Sequence, residues 1–234
     1  MYCFYQKLIN TAIRIFHLFW FLPKRAGRVA AHLQTGIENI SKLTSPRDAG
    51  FWSLELLILI LDTAGIAEVY ETAADFLKWN SRIADPRERQ IMREVFGGSL
   101  QENRILLDQR AFLGPQQRPL VYVSFFTVNS WGKFSDDTFV HELVHVWQYQ
   151  KHGAVYILRA LRAQKSRRGY DYGGVEMLKK MKARNKNLEV FNFEQQAEIV
   201  QDYFRLKNNL PPKRGAATAA DLPVYEWFAR SVRK

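Results

Sequence analysis

Apolar and polar positions follow a helical period over most of the chain and favour strands only in its middle. Residues 51–79 are strongly helical apart from Gly65. Because Glu55 and Asp62 interrupt their apolar stretch, these residues predict a buried helix and not a membrane span. A shorter helix is predicted over residues 86–95, between a proline that suits a first helical turn and a pair of glycines that ends it.

Two stretches after this helix are rich in β-branched, leucine and aromatic residues and predict strands. They cover residues 104–110 and 120–130 and are joined by a turn within residues 114–119. Asp136 or Asp137 is predicted to cap the helix that follows, because a carboxylate accepts the free N–H groups of a first turn. The predicted fold class is therefore α+β, a mainly helical domain with a small β-sheet before that helix.

Turn formers and linker-like residues divide the chain into three parts. Polar residues with scattered turn formers over 29–50 predict a linker, so residues 1–50 are interpreted as an N-terminal amphipathic segment with its linker. Residues 51–210 are predicted to form the main domain. Residues 211–234 are predicted to form a C-terminal linker and a short helix around 224–232.

The N-terminal apolar run over residues 8–22 has two interpretations. It is not a conventional signal peptide, because its basic cluster follows the run, and with Arg14 and His17 inside it is too short and too polar for a membrane span. The favoured interpretation is a helix docked on the core of the domain itself. The alternative is an amphipathic helix on an anionic membrane surface or partner, contacted by the basic residues Arg14, Lys24, Arg25 and Arg28.

Charge and composition narrow the classes of partner. The formal net charge is +11, which favours anionic partners. Residues 158–187 are markedly basic, and a solvated helix surface is favoured there over a contact with an anionic substrate or lipid. Only Tyr170 and Tyr172 interleave with these charges, so nucleic acid is not the expected partner. Because Cys3 is the single cysteine, a disulfide framework and a cysteine zinc cage are excluded.

Residues 140–150, VHELVHVWQYQ, contain a pattern that makes chemical sense as a set. His141 and His145 lie four residues apart, so on a helix both imidazoles lie on one face and can bind one metal ion. Glu142 is rotated by about 100° from His141, which lets it reach a metal-bound water without being a ligand. The competing interpretation is an amphipathic core helix with two incidental histidines.

A third ligand is predicted from a second helix over residues 191–204. Glu194 and Glu198 lie four apart on one face, and the small Ala197 beside them permits close approach to the histidine helix. Glu194 is then the third ligand, and Glu198 is predicted to accept a hydrogen bond from a ligating imidazole. The alternative is a solvent-facing acidic pair. His152 is the competing candidate for the third ligand, but its spacing from His145 does not fit the pattern with three histidines.

Residues 141–145 and 194–198 together resemble the zincin metallopeptidases of the glutamate-ligand type. The run from Glu194 to Glu198 is also similar to the downstream motif of the CaaX-type zinc proteases, with glutamate where those enzymes have aspartate. This resemblance implies Zn2+ as the cofactor and a peptide or protein as the substrate.

A narrower resemblance covers about residues 86–205. Phe96-Gly97 with Leu100, the strand before the helix, and HELVHVWQYQ resemble the zincin-like domain associated with bacterial contractile injection systems, type VI secretion and Rhs-type proteins. It implies Rhs- or VgrG-type partners and a cytoplasmic location or export by a contractile secretion system.

The chemistry expected of such a site is peptide hydrolysis. Glu142 is predicted to act as general base on a zinc-activated water, and an extended peptide can pair with the strand that precedes the helix. His152, Tyr170 and Tyr172 are the candidates for contacting substrate or oxyanion. Two other hypotheses are an inert zinc-stabilised module of a secretion assembly and a peripheral membrane-binding protein.

Overall fold

The computed structural model describes residues 4–38, 45–78, 80–111 and 120–233. Its helices are α1 (Phe4–Trp20), α2 (Leu22–Glu38), α3 (Pro46–Thr63), α4 (Ile66–Leu77), α5 (Pro86–Phe96), α6 (Asp136–His152), α7 (Val155–Gln164), α8 (Gly174–Ala183), α9 (Phe193–Lys207) and α10 (Leu222–Ala229). Its strands are β1 (Ser81–Ile83), β2 (Leu106–Asp108), β3 (Val121–Ser124) and β4 (Thr127–Ser130). The α+β, mainly helical fold class is confirmed, and the predicted turn within residues 114–119 lies outside the described residues.

The strands form one mixed sheet in the order β1-β2-β4-β3. β2 and β4 run parallel, and the other two pairs are antiparallel. The single strand predicted over residues 120–130 is wrong, because these residues form the hairpin β3–β4. The turn is closed by Phe125, which adopts a positive φ of 57°, and by the backbone N–H of Phe126, which donates to Glu71. A side chain from a distant helix thus places a turn inside an apolar run.

One of the two helices predicted before the strands is confirmed, and the other is divided. The helix over residues 86–95 is confirmed as α5, where Asp85 and Glu88 form a reciprocal capping box. The helix over residues 51–79 is divided at Gly65, whose φ of 86° ends α3 and starts α4. Helix α3 also begins earlier than predicted, because Ser45 caps it by accepting from the N–H of Asp48.

The N-terminal helices contact the helices that follow them, but their described side chains take no part in the apolar core, so the favoured interpretation of a helix docked on that core is wrong. α1 packs on α4 and α2 packs on α3. The predicted linker over 29–50 is wrong where the structure describes it, because α2 continues to Glu38 and α3 begins at Pro46. The four basic residues expected to face an anionic surface instead have protein partners: Arg14 pairs with Asp75, Arg25 with Glu68, Arg28 with Asp62, and Lys24 donates to the carbonyl of Gln150.

The core is centred on α6 and α9, which pack along each other. Ala197 of α9 is fully buried, as its small size predicted. The C-terminal helix α10 belongs to the same core, because Tyr225 and Phe228 are fully buried against it. No single described helix is long and apolar enough to cross a membrane, although the pair α3 and α4, bent by 65°, passes together on length and composition.

Candidate metal centre

Helix α6 carries both histidines on one buried face. The two imidazole rings of His141 and His145 lie 5.2 Å apart, centre to centre. Ser135, and neither predicted aspartate, occupies the N-cap position of this helix. Asp136 and Asp137 lie in the first turn, where their negative charge still favours the positive end of the helix dipole.

Glu194 of α9 reaches both histidines with a single oxygen. Its Oε2 lies 3.4 Å from Nε2 of His141 and 3.4 Å from Nε2 of His145. Two ligands bound at about 2.05 Å with tetrahedral angles lie about 3.3 Å apart, so both nitrogen–oxygen distances match those of a zinc site. Oε2 is buried and has no hydrogen-bond partner among the described residues. A buried carboxylate oxygen without a partner is costly, and a bound cation would satisfy it.

The same trio is the one group of His, Cys, Asp and Glu side chains in the described part of the chain whose ligand atoms converge, all within 4.8 Å. Two imidazoles and one carboxylate are a ligand set typical of zinc sites that keep a position for water. The third-ligand prediction for Glu194 therefore agrees with the geometry.

Two helices, α9 and α7, fix the position of the Glu194 side chain. Asn192 and Gln195 form a capping box that starts the helix one residue before Glu194. The other carboxylate oxygen, Oε1, accepts a hydrogen bond from Nε2 of Gln164 at 2.9 Å. One oxygen is thus held by α7, and the other is left for the histidines.

Two glutamines orient the imidazoles. Oε1 of Gln201 lies 3.1 Å from Nδ1 of His141, and Oε1 of Gln148 lies 2.8 Å from Nδ1 of His145. The amide groups of both glutamines are themselves oriented, because Gln201 donates to Asp137 and Gln148 donates to the carbonyl of Phe193. Each Nδ1–H therefore donates to a glutamine, which leaves Nε2 of each ring as the nitrogen that could bind a metal ion.

The role predicted for Glu198 belongs to Gln201 instead. The nearest Glu198 oxygen lies 3.8 Å from Nδ1 of His141, which is beyond hydrogen-bond distance, and its other oxygen accepts from Arg214. Gln201 is seven residues after Glu194, so it lies on the same helical face. The i+7 spacing from Glu194 is the sequence signal that points to Gln201.

Gln201 and Glu198 provide a matched pair of variants. Gln201→Leu is expected to weaken zinc affinity by about 10–100-fold, because His141 loses the acceptor that orients it. Glu198→Gln is expected to leave zinc affinity within about twofold of wild type, because Glu198 accepts no hydrogen bond from His141. Competition with a fluorescent zinc chelator measures both. Equal losses in the two variants would contradict the assignment.

The charges of the metal-free site are coupled. Burial opposes a charged imidazole, but the Glu194 carboxylate more than offsets it and raises the pKa of His145 to about 9. Burial likewise opposes the charged carboxylate, but the attraction of His145 holds the pKa of Glu194 well below its usual range. Metal binding near neutral pH must therefore displace a proton from His145.

Glu142 lies beside this trio in a cavity of about 360 Å3. The walls of this cavity come from β3, α6, α7 and the first turn of α9. Burial raises the pKa of the Glu142 carboxyl, although the two histidines oppose the shift. A buried carboxylate of raised basicity next to a metal site is suited to accept a proton from water. Another cavity, of about 550 Å3, lies elsewhere and contains none of these residues.

No protein-family model, no curated protein and no solved structure matches this chain. The functional assignment therefore rests on the arrangement of its own residues.

Of the three predicted substrate or oxyanion contacts, only Tyr170 lies at the site. Tyr170 lines the cavity with its ring 6.0 Å from that of His141. Tyr172 is wrong for this role, because its buried hydroxyl donates to Asp202 and contacts the hydroxyl of Tyr225.

His152 is also wrong for this role. It lies at the end of α6, packed on Phe193, outside the residues that line the cavity. Burial and the nearby cations Arg159 and Lys151 lower the pKa of His152 to about 4, so its ring is neutral at physiological pH.

Two further residues support the site, and no sequence pattern pointed to them. Gln164 holds Glu194, and Tyr156 holds the edge strand, since its hydroxyl donates to the carbonyl of Val123 and accepts from the N–H of Phe125. Neither residue lies at a distinctive spacing from the motif, because α7 reaches the site only through tertiary packing.

Asp137 makes the free energy of unfolding depend on pH. Burial opposes its charge, but hydrogen bonds from Ser135, Arg205 and Gln201 lower the pKa of Asp137 to about 2. Because this pKa lies below the unfolded value, the stabilisation is present above about pH 4 and is lost as the pH falls toward 2.

The expected result for Asp137→Asn is a loss of about 2 kcal/mol in the free energy of unfolding above pH 4, shrinking toward zero near pH 2. Urea unfolding of both proteins across this range measures the difference. A difference that does not change with pH would contradict the charge-based account.

Proposed function

We propose that this chain is a zinc-dependent peptidase that hydrolyses peptide bonds. The observation that carries the proposal is the single Glu194 oxygen 3.4 Å from both histidine Nε2 atoms, with Glu142 adjacent in the same cavity. When bound, zinc supplies a water of lowered pKa, toward about 7, and polarises a carbonyl. His141, His145 and Glu194 would hold the ion.

Glu142 supplies the proton transfers. As a carboxylate it accepts a proton from the attacking water, and it then donates that proton to the nitrogen of the leaving amine. Burial favours the first step, because it raises the pKa of Glu142 and so makes the carboxylate a stronger base. Tyr170, which lines the cavity, would contact the oxyanion.

The edge strand β3 supports a peptide as the substrate. β3 pairs with β4 on one side only and is the outer strand of the sheet in the part of the chain described. Residues 120–123, which include most of β3, line the cavity together with the histidines. An extended peptide that adds to this edge through main-chain hydrogen bonds would run past the metal ligands. Leu120 and Leu161 add an apolar wall for its side chains.

The test uses the full chain loaded with zinc and freed of excess metal, then incubated with a peptide library and analysed by mass spectrometry. One zinc per chain, with cleavage that stops on chelation and returns on adding zinc, is the expected result. One zinc per chain with no cleavage of any peptide would reject the peptidase and indicate a zinc-stabilised module, such as a component of a secretion assembly. A chain that takes up no zinc would reject both.

A further inference from the structure

The first helix exposes its apolar face and buries its charges. Lys7 and Arg14, its two charged residues, are 8% and 7% exposed. Phe19 and Trp20 are 69% and 67% exposed, which is the reverse of what a helix on a water-soluble core shows. Among the described side chains of α1, all the exposed ones are apolar or aromatic, namely Tyr5, Leu8, Ala12, Ile13, Ile15, Phe16, Phe19 and Trp20.

Helices α3 and α4 repeat this inversion. From residue 51 to residue 77 every acidic side chain is buried, namely Glu55, Asp62, Glu68, Glu71 and Asp75. Apart from Ser53, every exposed residue in this stretch is apolar, and the large ones are Leu54, Leu57, Ile60, Leu61, Ile66, Val69, Phe76 and Leu77. Three helices therefore share one pattern, with charges inward and hydrocarbon outward.

The buried charges neutralise one another across the helices. Arg14 of α1 reaches Asp75 and Glu71, while Arg25 of α2 reaches Glu68. Glu55 of α3 accepts two hydrogen bonds from the guanidinium of Arg159 in α7. Charges that are paired in the interior need no water outside, so the outer surface of these helices is free to face a medium of low dielectric constant.

The exposed faces lie on neighbouring helices, since α1 packs on α4 and α3 also contacts α4. Lys7, near the start of α1, donates to the carbonyl of Lys78 just after α4. Leu18, near the end of α1, lies on Gly65 between α3 and α4. Thus α1 runs antiparallel to α4. We call the exposed apolar side chains of α1, α3 and α4 the outer face.

A basic rim adjoins this face. Helix α7 follows α3 toward its first turn, since Arg159 pairs with Glu55 and Arg162 stacks over the ring of Phe51. The turn after α7 therefore lies near the start of α3, and it exposes Lys165, Arg167 and Arg168.

We propose that the outer face is a bilayer-docking surface that lies in one leaflet of an anionic membrane, with the basic turn after α7 at the headgroups. Apolar side chains inserted in the acyl region and cations among anionic headgroups together give stable interfacial binding. The net charge of +11 favours such a membrane and opposes a second copy of this chain as the occupant. The alternative of Arg14, Lys24, Arg25 and Arg28 as the membrane contact is replaced by this face.

The test is flotation of the full chain with vesicles of phosphatidylcholine, with and without phosphatidylglycerol. Wild type is expected to float with the mixed vesicles and to stay bound in molar salt, because insertion of apolar groups is not screened. Phe16→Gln combined with Phe19→Gln is expected to lower the partition coefficient by about tenfold or more. The matched control is Val190→Gln with Leu210→Gln, which changes two similarly exposed side chains outside this face and should leave partitioning unchanged.

Circular dichroism checks that the variants fold, which is expected since only exposed side chains change. No flotation with either vesicle would overturn the proposal, as would equal partitioning of the outer-face variant and wild type. Complete release by salt would show that cations alone bind. A wild-type dimer in solution that dissociates in the Phe16 and Phe19 variant would identify a second copy as the occupant.

Discussion

Glu142→Gln is expected to lower kcat/KM for peptide cleavage by about 10²–10⁴-fold while leaving zinc content at the wild-type level. The amide has the shape of the carboxyl group but cannot accept a proton from water. Zinc is retained because Glu142 does not belong to the trio whose ligand atoms converge. Steady-state kinetics on a cleaved peptide, with elemental analysis of the same samples, measures both quantities.

Asp136→Asn is the matched control for this variant. Asp136 lies on the same helix and pairs with the exposed Arg87, away from the cavity. Its kcat/KM is expected to stay within about twofold of wild type, since an exposed ion pair contributes little. Undiminished cleavage by Glu142→Gln would reject its role as general base, even if zinc binding holds.

Glu194→Gln is expected to weaken zinc affinity by more than about a hundredfold, which exceeds the loss expected from an orienting residue. The substituted amide oxygen can still accept from Gln164, so the change removes chiefly the charge that joins the two histidines. Isothermal titration calorimetry on the metal-free proteins measures the affinity. Glu198→Gln is the control, because that carboxylate lies beyond hydrogen-bond distance of the imidazole.

Metal removal provides an independent readout of the same site. Zinc at about a hundred times its dissociation constant adds about 2.7 kcal/mol to the free energy of unfolding of wild type. Chelation should therefore lower the Tm of the zinc-loaded wild type but not that of Glu194→Gln. Wild-type affinity in Glu194→Gln, or a Tm that chelation leaves unchanged in wild type, would show that these three side chains do not bind the ion.

Local parts of the fold could be read from the sequence because they depend on neighbours within one turn. The capping residues around Pro86 predict α5, whereas the single helix predicted over residues 51–79 is broken at Gly65, which adopts a positive φ. The hairpin β3–β4 could not be read in this way. Its turn at Phe125 and Phe126 depends on Glu71, which is 55 residues away from Phe126.

For the candidate site, the helical period alone determined that His141 and His145 share a face with Glu142 beside them. Tertiary structure decided that Glu194 meets both imidazoles, and that Gln201 and not Glu198 orients the first of them. The physical reason is that spacing defines which residues of one helix lie together, whereas the rotation of α9 against α6 selects which of them reach the two imidazoles. Tertiary structure also decided which side chains of the N-terminal helices are buried. Arg14, Arg25 and Arg28 face the interior because acidic side chains of α3 and α4 pair with them.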